Sequence, residues 1–418
     1  MISTPQRLTP TEKSWILYDV ANSAFTLLIS TILPIFSNML AQKAGYTANQ
    51  ATAVWSYLAS LSTLVFVVAG PILGALADHE NQKKKFFLVS LIVGVAGCLV
   101  MGLAKSWVWF LALFFLAKVG YNASLIFYDS MLTDVCEDER MDRVSSMGYA
   151  FGYLGSCLPF LLGLGCVLLS QRKDPPFSVA VGCLLALCIC AAWWALLSLP
   201  LLRRYRQRYF VSSQHHLRDS FRQLGHTLKT ARQYRPAFLF LLAFFFYIDG
   251  VYTIIEIATP YGISMGIGTT HLLLALLLTQ LVAFPFALLF GRLSARYPTR
   301  RILECAIVFY LGITLFAFQL NHAWEFWLLA VLVGMVQGGI QALSRSYFAK
   351  LVPKEHSNEF FGFYDIFGKS ASVLGTFIMG LVTHLSDRPN LGILPISVMF
   401  LIGLLILRAV PVTAADRN

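Results

Sequence analysis

The sequence predicts an all-α membrane protein of twelve transmembrane helices arranged as two six-helix bundles. Three observations point there. Of the 418 residues, 57% are hydrophobic and 13% charged, against roughly 25% charged in soluble proteins, so a water-soluble fold is excluded. Apolar runs of about 20 residues, the length that crosses a bilayer, recur along the whole chain between short polar breaks. Two segments half a chain apart also carry the same glycine and the same basic cluster. Twelve spans of about 22 residues leave no room for a soluble catalytic domain.

In chain order the spans are expected at 15–40, 50–77, 86–104, 107–132, 145–169, 176–199, 237–262, 270–294, 302–320, 324–349, 360–384 and 391–410. Residues 1–14 are polar and no short apolar segment with a small-residue cleavage site follows, so the first span is expected to serve as its own insertion signal. Of the 32 Lys and Arg, five (Lys43, Lys105, Arg172, Lys173, Arg388) fall on the side opposite the termini and three (Lys118, Arg345, Lys369) inside spans. The other 24 lie on the side of the termini. That asymmetry predicts cytoplasmic termini; the expected location of the chain is the bacterial cytoplasmic membrane. The net charge of +11 is then a matter of topology rather than of nucleic-acid binding.

The expected domains are 1–199, a first bundle, 200–236, a basic cytoplasmic linker, and 237–418, a second bundle. Within the linker Leu217, Phe221, Leu224 and Leu228 recur at helical spacing beside Arg218, Arg222, Lys229 and Arg232. Such a helix lies on a membrane surface, with anionic lipids as its partner. The halves resemble repeats. Gly74-Ala-Leu-Ala-Asp78 and Lys83-Lys84-Lys85 recur as Gly291-Arg-Leu-Ser-Ala295 and Arg300-Arg301 at one offset. Parallel six-span repeats mark transporters that bind a small-molecule substrate near the bilayer midplane, between the bundles. Asp78, at the end of the second span, can cap a facing helix N-terminus, whose dipole favours an anion; it is the gating candidate. Ala295 stands in its place in the second half, so the latch is expected on one side only.

A charge at mid-membrane costs about 2.5–3.5 kcal/mol on insertion scales, so each intramembrane ionisable residue calls for a partner, a wet cavity or a function. The first span carries Asp19, Asn22, Thr26 and Ser30 on one face, and the fourth carries Lys118, Asn122 and Asp129 with Tyr121 and Tyr128. The seventh carries Asp249, Tyr252, Thr253 and Glu256, and the tenth Gln337, Gln341, Ser344 and Arg345. These four helices occupy equivalent places in a three-span subrepeat, so their polar faces are expected to line one aqueous cavity. Asp129 and Arg345 lie near the cytoplasmic ends and suit a gate latch as well as a substrate site. On the eleventh span Asp365 and Lys369 form an i, i+4 pair that can neutralise itself.

No cofactor and no metal are expected. The cysteines sit in apolar spans apart from Cys136, no C-x-x-C occurs, and His215-His216 reads as a solvated pair. Gly368-Lys369-Ser370 has the end of a phosphate-binding loop but lacks its first glycine and a preceding strand. No nucleophile and base constellation appears, so an enzyme is not expected.

Four strings carry a family resemblance: Trp15-x-x-Tyr18-Asp19-x-Ala21-Asn22-Ser23-Ala24-Phe25, Phe246-Tyr247-x-Asp249-Gly250-Val251-x-Thr253-Ile254, Gln337-Gly-Gly-Ile-Gln341-Ala-Leu-Ser344-Arg345-Ser346, and Glu359-Phe-Phe-Gly362-x-Tyr364 with Gly368-Lys369. The chain resembles the vacuolar-effluxer-like group of the major facilitator superfamily over its first to eleventh helices. The resemblance implies a twelve-helix transporter, and the fungal member of that group is linked to amino-acid efflux from the vacuole. The chain departs from the superfamily at His79, where Arg usually follows the Asp.

The expected function is a monomeric secondary active transporter of a small polar or zwitterionic, amino-acid-like solute, working by alternating access and coupled to protons. Asp249 and Glu256 are the proton-carrier candidates, since burial raises a carboxyl pKa towards neutrality. Lys118 and Arg345 would hold an anionic group, and Asn22, Gln337 and Gln341 would give neutral hydrogen bonds. Asp19, Tyr121, Asn122, Asp129, Tyr252 and Lys369 complete the translocation set. Two alternatives stand beside this: an exporter of amphipathic drugs or lipids, which the 33 Phe permit, and a membrane receptor or scaffold that transports nothing.

Overall fold

The computed structural model describes residues 7–172, 174–212, 234–264, 269–319, 322–386 and 389–416. Twelve long helices occupy them: α1 Pro10–Lys43, α2 Ala48–Ala77, α3 Lys83–Met101, α4 Trp107–Ser130, α5 Asp138–Leu169, α6 Val179–Arg204, α7 Arg235–Ser264, α8 Thr269–Leu293, α9 Thr299–Phe318, α10 Ala323–Leu351, α11 Ser357–Ser386 and α12 Leu394–Ala409. Among the described residues, eleven helices are long and apolar enough to cross a membrane. The twelfth, α2, is 30 residues long and packs against α1, α4 and α11.

Local sequence explains the starts. Thr9 with Glu12 and Thr47 with Gln50 form reciprocal capping boxes, and Pro10 occupies the first turn of α1, where its missing N–H costs nothing. Ser106 and Ser178 accept from Trp109 N and Val181 N to cap α4 and α6.

The two bundles repeat one packing scheme. In the first, α1 lies against α5 and α6, and α4 against α2 and α3; in the second, α7 lies against α11 and α12, and α10 against α8 and α9. The bundles meet where α2 crosses α11 and where α5 crosses α8, with α10 against α5 beside them. Both termini share one face, termed here the terminal face. Glu12 pairs with Arg140 at the start of α5 at 2.6 Å, Arg204 at the end of α6 donates to Pro10 O, and Tyr347 near the end of α10 donates to Asp416 at 2.9 Å.

Several boundaries differ from expectation. Helix α5 starts at Asp138 rather than 145, because Asp138 and Glu139 fill its first turn, where the helix dipole favours acids; hydropathy alone cannot register two polar turns standing outside the bilayer. Helix α6 runs on to Arg204, past the expected linker boundary at 200, with buried Leu201 and the end-of-helix pair Arg203 and Arg204. From Tyr205 the chain runs extended along the terminal face, bridging to His79 at Val211. The amphipathic stretch Leu217–Leu228 lies outside the described residues.

Candidate functional site

The first-bundle helices α1, α4 and α5 and the second-bundle helix α10 meet at Arg345, whose side chain is only 2% exposed. It lies about 9 Å inside α10 from its terminal-face end, at 1.5 Å per residue. Its guanidinium donates from Nη2 to Asp19 Oδ2 at 3.0 Å, from Nη1 to Asp129 Oδ1 at 3.0 Å and from Nε to Ser145 Oγ at 3.0 Å, with a further bond from Nη2 to Ser145 O at 3.2 Å. Aromatic faces wall it in: Trp15 at 4.6 Å, Tyr149 at 4.4 Å and Tyr128 at 5.5 Å from the guanidinium carbon. Trp15 is itself fixed, stacked on Tyr128 at 4.5 Å and donating from Nε1 to Tyr128 O. A carboxylate pair around one guanidinium, stacked between rings, is the geometry in which a buried charge is tolerated. Gly148 makes the fit possible, since a Cβ there would stand 2.4 Å from Asp19 Oδ2 and 3.1 Å from Arg345 Nη2.

Towards the middle of the helices the remaining polar residues divide. Lys118 on α4 lies within electrostatic reach of Glu256 on α7 and Lys369 on α11, residues of the opposite bundle, with its ammonium 6.0 Å from the Phe114 ring. Lys369 pairs with Asp365 at 2.6 Å. Tyr121 shares a 2.7 Å hydrogen bond with Thr26 of α1, and Tyr252 is half-buried on α7. Asn22, Asn122, Gln337 and Gln341 are buried, the first two each with an Nδ2 that meets no acceptor among the described residues. Asp249 is placed differently from its helix neighbours. It is wholly buried against α11, accepting from Gly375 N at 2.9 Å and from Thr253 Oγ1 at 3.3 Å, a contact within the second bundle. Glu256, one turn beyond Thr253, is exposed.

The terminal face is closed by contacts between bundles. Asp78, just past the end of α2, caps α11: its Oδ1 accepts from Asn358 N at 2.9 Å and Asn358 Nδ2 at 2.8 Å, and its Oδ2 from Glu359 N at 2.9 Å. Burial pushes the Asp78 carboxyl up to about 7, with the charge of Lys83 and the bonds from Glu359 and Asn358 pulling the other way. Lys83 bridges as well, to Asp134 at 2.8 Å and to Ser357 at the start of α11 at 3.0 Å, and Ser130 bonds Asn358. Lys83, the first residue of α3, thus supplies a cation at the end of the connection that begins at His79. Asp142 on α5 accepts from Lys350 at 2.7 Å and from Thr299 at 2.6 Å. Asp78, His356 and Glu359 present ligand atoms within 4.8 Å of one another, but both Asp78 oxygens are committed to N–H donors, and the group reads as a helix cap.

Sequence reasoning selected Asp19, Asp129 and Arg345, which the structure brings together, and Lys118, which it sets within electrostatic reach of Glu256 and of Lys369. It missed Trp15, Ser145, Gly148 and Tyr149 around the guanidinium, and Lys83, Asp134, Asp142 and Lys350 at the terminal face. Trp15 stands in the same resemblance string as Asp19, and the i, i+3, i+4 spacing of Ser145, Gly148 and Tyr149 marks one face of α5; both were available signals.

Comparison with known proteins agrees with this architecture. Residues 47–418 match the vacuole effluxer Atg22-like family. The chain is 43% identical over 410 residues to the uncharacterized MFS-type transporter YxiO of Bacillus subtilis (strain 168), covering 97% of this chain and 96% of that one. It is 25% identical to autophagy-related protein 22 of Coccidioides immitis (strain RS), over 82% of this chain and 70% of that one. In fold it is similar to the human organic anion transporter MFSD10, with a TM-score of 0.71 at 15% identity over 95% of this chain and 99% of that one. It is similar too to the E. coli fucose:proton symporter FucP, with a TM-score of 0.70 at 15% identity over 97% and 98%. The chain belongs to the vacuole effluxer Atg22-like family and is a multi-pass transporter of the major facilitator type.

Proposed function

We propose that the protein is a secondary active transporter of a small polar or zwitterionic, amino-acid-like solute, driven by protons and working by alternating access. The observation that carries this reading is the set of opposed charges in mid-membrane, where Lys118 of the first bundle lies within reach of Glu256 and Lys369 of the second. A solute with one positive and one negative group can engage both bundles there at once, and only an ordered pair of charges repays the cost of holding them in the bilayer. Lys118 and Lys369 hold the anionic group; Tyr121, Asn22, Asn122, Tyr252, Gln337 and Gln341 supply neutral hydrogen bonds. Arg345 is engaged by Asp19, Asp129 and Ser145 in this conformation, and Asp78 belongs to the gate.

Proton carriage is assigned to Asp249 and Glu256. The terminal face is taken as cytoplasmic, from the distribution of Lys and Arg, and the membrane as the bacterial cytoplasmic membrane. The protein works as a monomer, with its basic linker on anionic lipid. In proteoliposomes Asp249→Asn is expected to abolish uptake driven by a pH gradient while leaving solute exchange intact; unchanged gradient-driven uptake removes Asp249 from the proton path.

A further inference from the structure

A deeply enclosed cation, Arg345, is a guest. Arg345 belongs to the second bundle, yet the partners of its guanidinium described above all belong to the first: Trp15 and Asp19 on α1, Tyr128 and Asp129 on α4, Ser145 and Tyr149 on α5. The first bundle therefore carries a finished cation site, with two carboxylates, a hydroxyl and three ring faces, and the second bundle carries the cation that fills it. When the bundles part at the terminal face, Arg345 must leave with α10. Two carboxylates then remain in one pocket with no cation between them, an arrangement costly enough that another cation is drawn in. The rings, already aligned by the Trp15 to Tyr128 stack, suit a positively charged nitrogen.

We propose that Asp19 and Asp129, walled by Trp15, Tyr128 and Tyr149, bind the cationic nitrogen group of the substrate when the terminal face is open, and that Arg345 displaces that group when the face closes. This rests on the transporter reading above and deepens it. The motion that shuts the gate also empties the subsite, so cargo loaded from the terminal face is expelled by closure itself.

Two measurements on the full-length chain test it. In detergent, Arg345→Ala vacates the site in the closed form, and millimolar methylguanidinium is expected to raise its Tm by several degrees. The same salt should leave the unmodified protein, whose site is filled, and the triple variant Arg345→Ala, Asp19→Asn, Asp129→Asn unmoved. No rise in Arg345→Ala, or an equal rise in all three, overturns the cation site. In proteoliposomes, counterflow of the unmodified protein with leucine and lysine is compared with counterflow of 4-methylpentanoate, which is leucine without its amino group. The expected result is exchange of an amino acid and at least a tenfold loss for 4-methylpentanoate. Equal exchange of 4-methylpentanoate and leucine overturns the cation subsite and leaves the transporter reading standing. Exchange of none of the three overturns the proposed solute class, with the Tm measurement still deciding the cation site. The counterflow arm needs no variant and stands even where Arg345→Ala does not fold.

Discussion

The crossing of α2 with α11 and the crossing of α5 with α8 occupy equivalent places in the two-bundle repeat, yet they are built from different chemistry. Both rely on a glycine at the same repeat position for close approach. A Cβ on Gly74 would stand 2.3 Å from Asn358 O and 3.0 Å from Glu359 Cα, and one on Gly291 would stand 2.7 Å from Ser146 Cβ. At the first crossing a carboxylate caps the facing helix, Asp78 on three N–H donors. At the second, Ala295 is exposed, and the acid of the neighbourhood, Asp142, turns to Thr299 and Lys350 instead. The extended segment after α6 deepens the contrast, since it lies on the first crossing: Val211 N donates to Asp78 O, Arg208 N and Tyr209 N donate to Asp134 Oδ1, and Tyr205 Oη donates to Asp134 Oδ2. Close glycine packing was kept on both edges of the gate, while the buried carboxylate caps a helix N-terminus on the first and pairs with a lysine of α10 on the second.

Breaking the lock at its base should have the largest effect. Lys83 and Asp134 are both 0% exposed, and removing one partner of a buried pair costs about 3–5 kcal/mol. Lys83→Ala is expected to lower Tm sharply, with Lys350→Ala on the other edge lowering it less, because Lys350 and Asp142 keep 7% and 6% exposure to solvent.

The steric half of the contrast comes next. Gly74→Ala drives a methyl to 2.3 Å from Asn358 O and 2.7 Å from Asn358 C, whereas Gly291→Ala stops 2.7 Å from Ser146 Cβ, the shallower of the two clashes. Overpacking costs on the order of 1–3 kcal/mol, so Gly74→Ala should reduce the closed population by about tenfold or more and Gly291→Ala by less. Spin labels at exposed Glu80 and Glu355 read the first edge, and labels at Glu139 and Arg296 the second; equal loss from both variants would remove the distinction.

A pH effect should follow on the first edge alone. With the gate closed the Asp78 carboxyl sits at about 7, above the roughly 3.9 of a hydrated Asp, so the closed form binds a proton that the open form does not. Closure through Asp78 is therefore favoured as pH falls from 7 towards 4 and disfavoured above 7. The label pair at Glu80 and Glu355 should report more closed protein at pH 5 than at pH 8, and Asp78→Asn should flatten that part of the response. The smallest effect is expected for Ala295→Asp. It restores the repeat's missing acid at a solvent-facing position, and its change in stability should stay within about 0.5 kcal/mol; a clear shift towards closure would show that the second edge can be locked by sequence alone.

Much of this was legible in the sequence, and the limits have physical causes. Hydropathy located the long helices to within a few residues, because bilayer thickness sets their length, and it failed where Asp138 and Glu139 carry α5 out of the apolar layer. Helical spacing placed Asp19, Asp129 and Arg345 on polar faces, since periodicity survives folding. The same spacing grouped Asp249 with Tyr252 and Glu256, but periodicity names a face without naming what that face meets; Gly375 on α11 takes the Asp249 carboxylate instead. The Lys83, Asp134 and Tyr205 cluster was out of reach for another reason: the repeat marks Lys83, but Asp134 and Tyr205 come from separate connections that no repeat aligns with it. Gly148 looked like any small residue in an apolar span until the carboxylate beside it was seen.

The seam between α2 and α11 has a further consequence. Gly70 and Gly362 touch backbone to backbone, the Gly362 Cβ position lying 2.8 Å from Gly70 O. That contact can serve as a fulcrum with Asp78 at the end of the arm. Eight residues of helix make the arm about 12 Å long, so a tilt of only about 10° carries the carboxylate on the order of 2 Å. Bonds made at 2.8–2.9 Å do not survive such a displacement. A short stiff lever with contact-length bonds at its tip makes the gate a snap fastener, held or released, with little room for a half-open state.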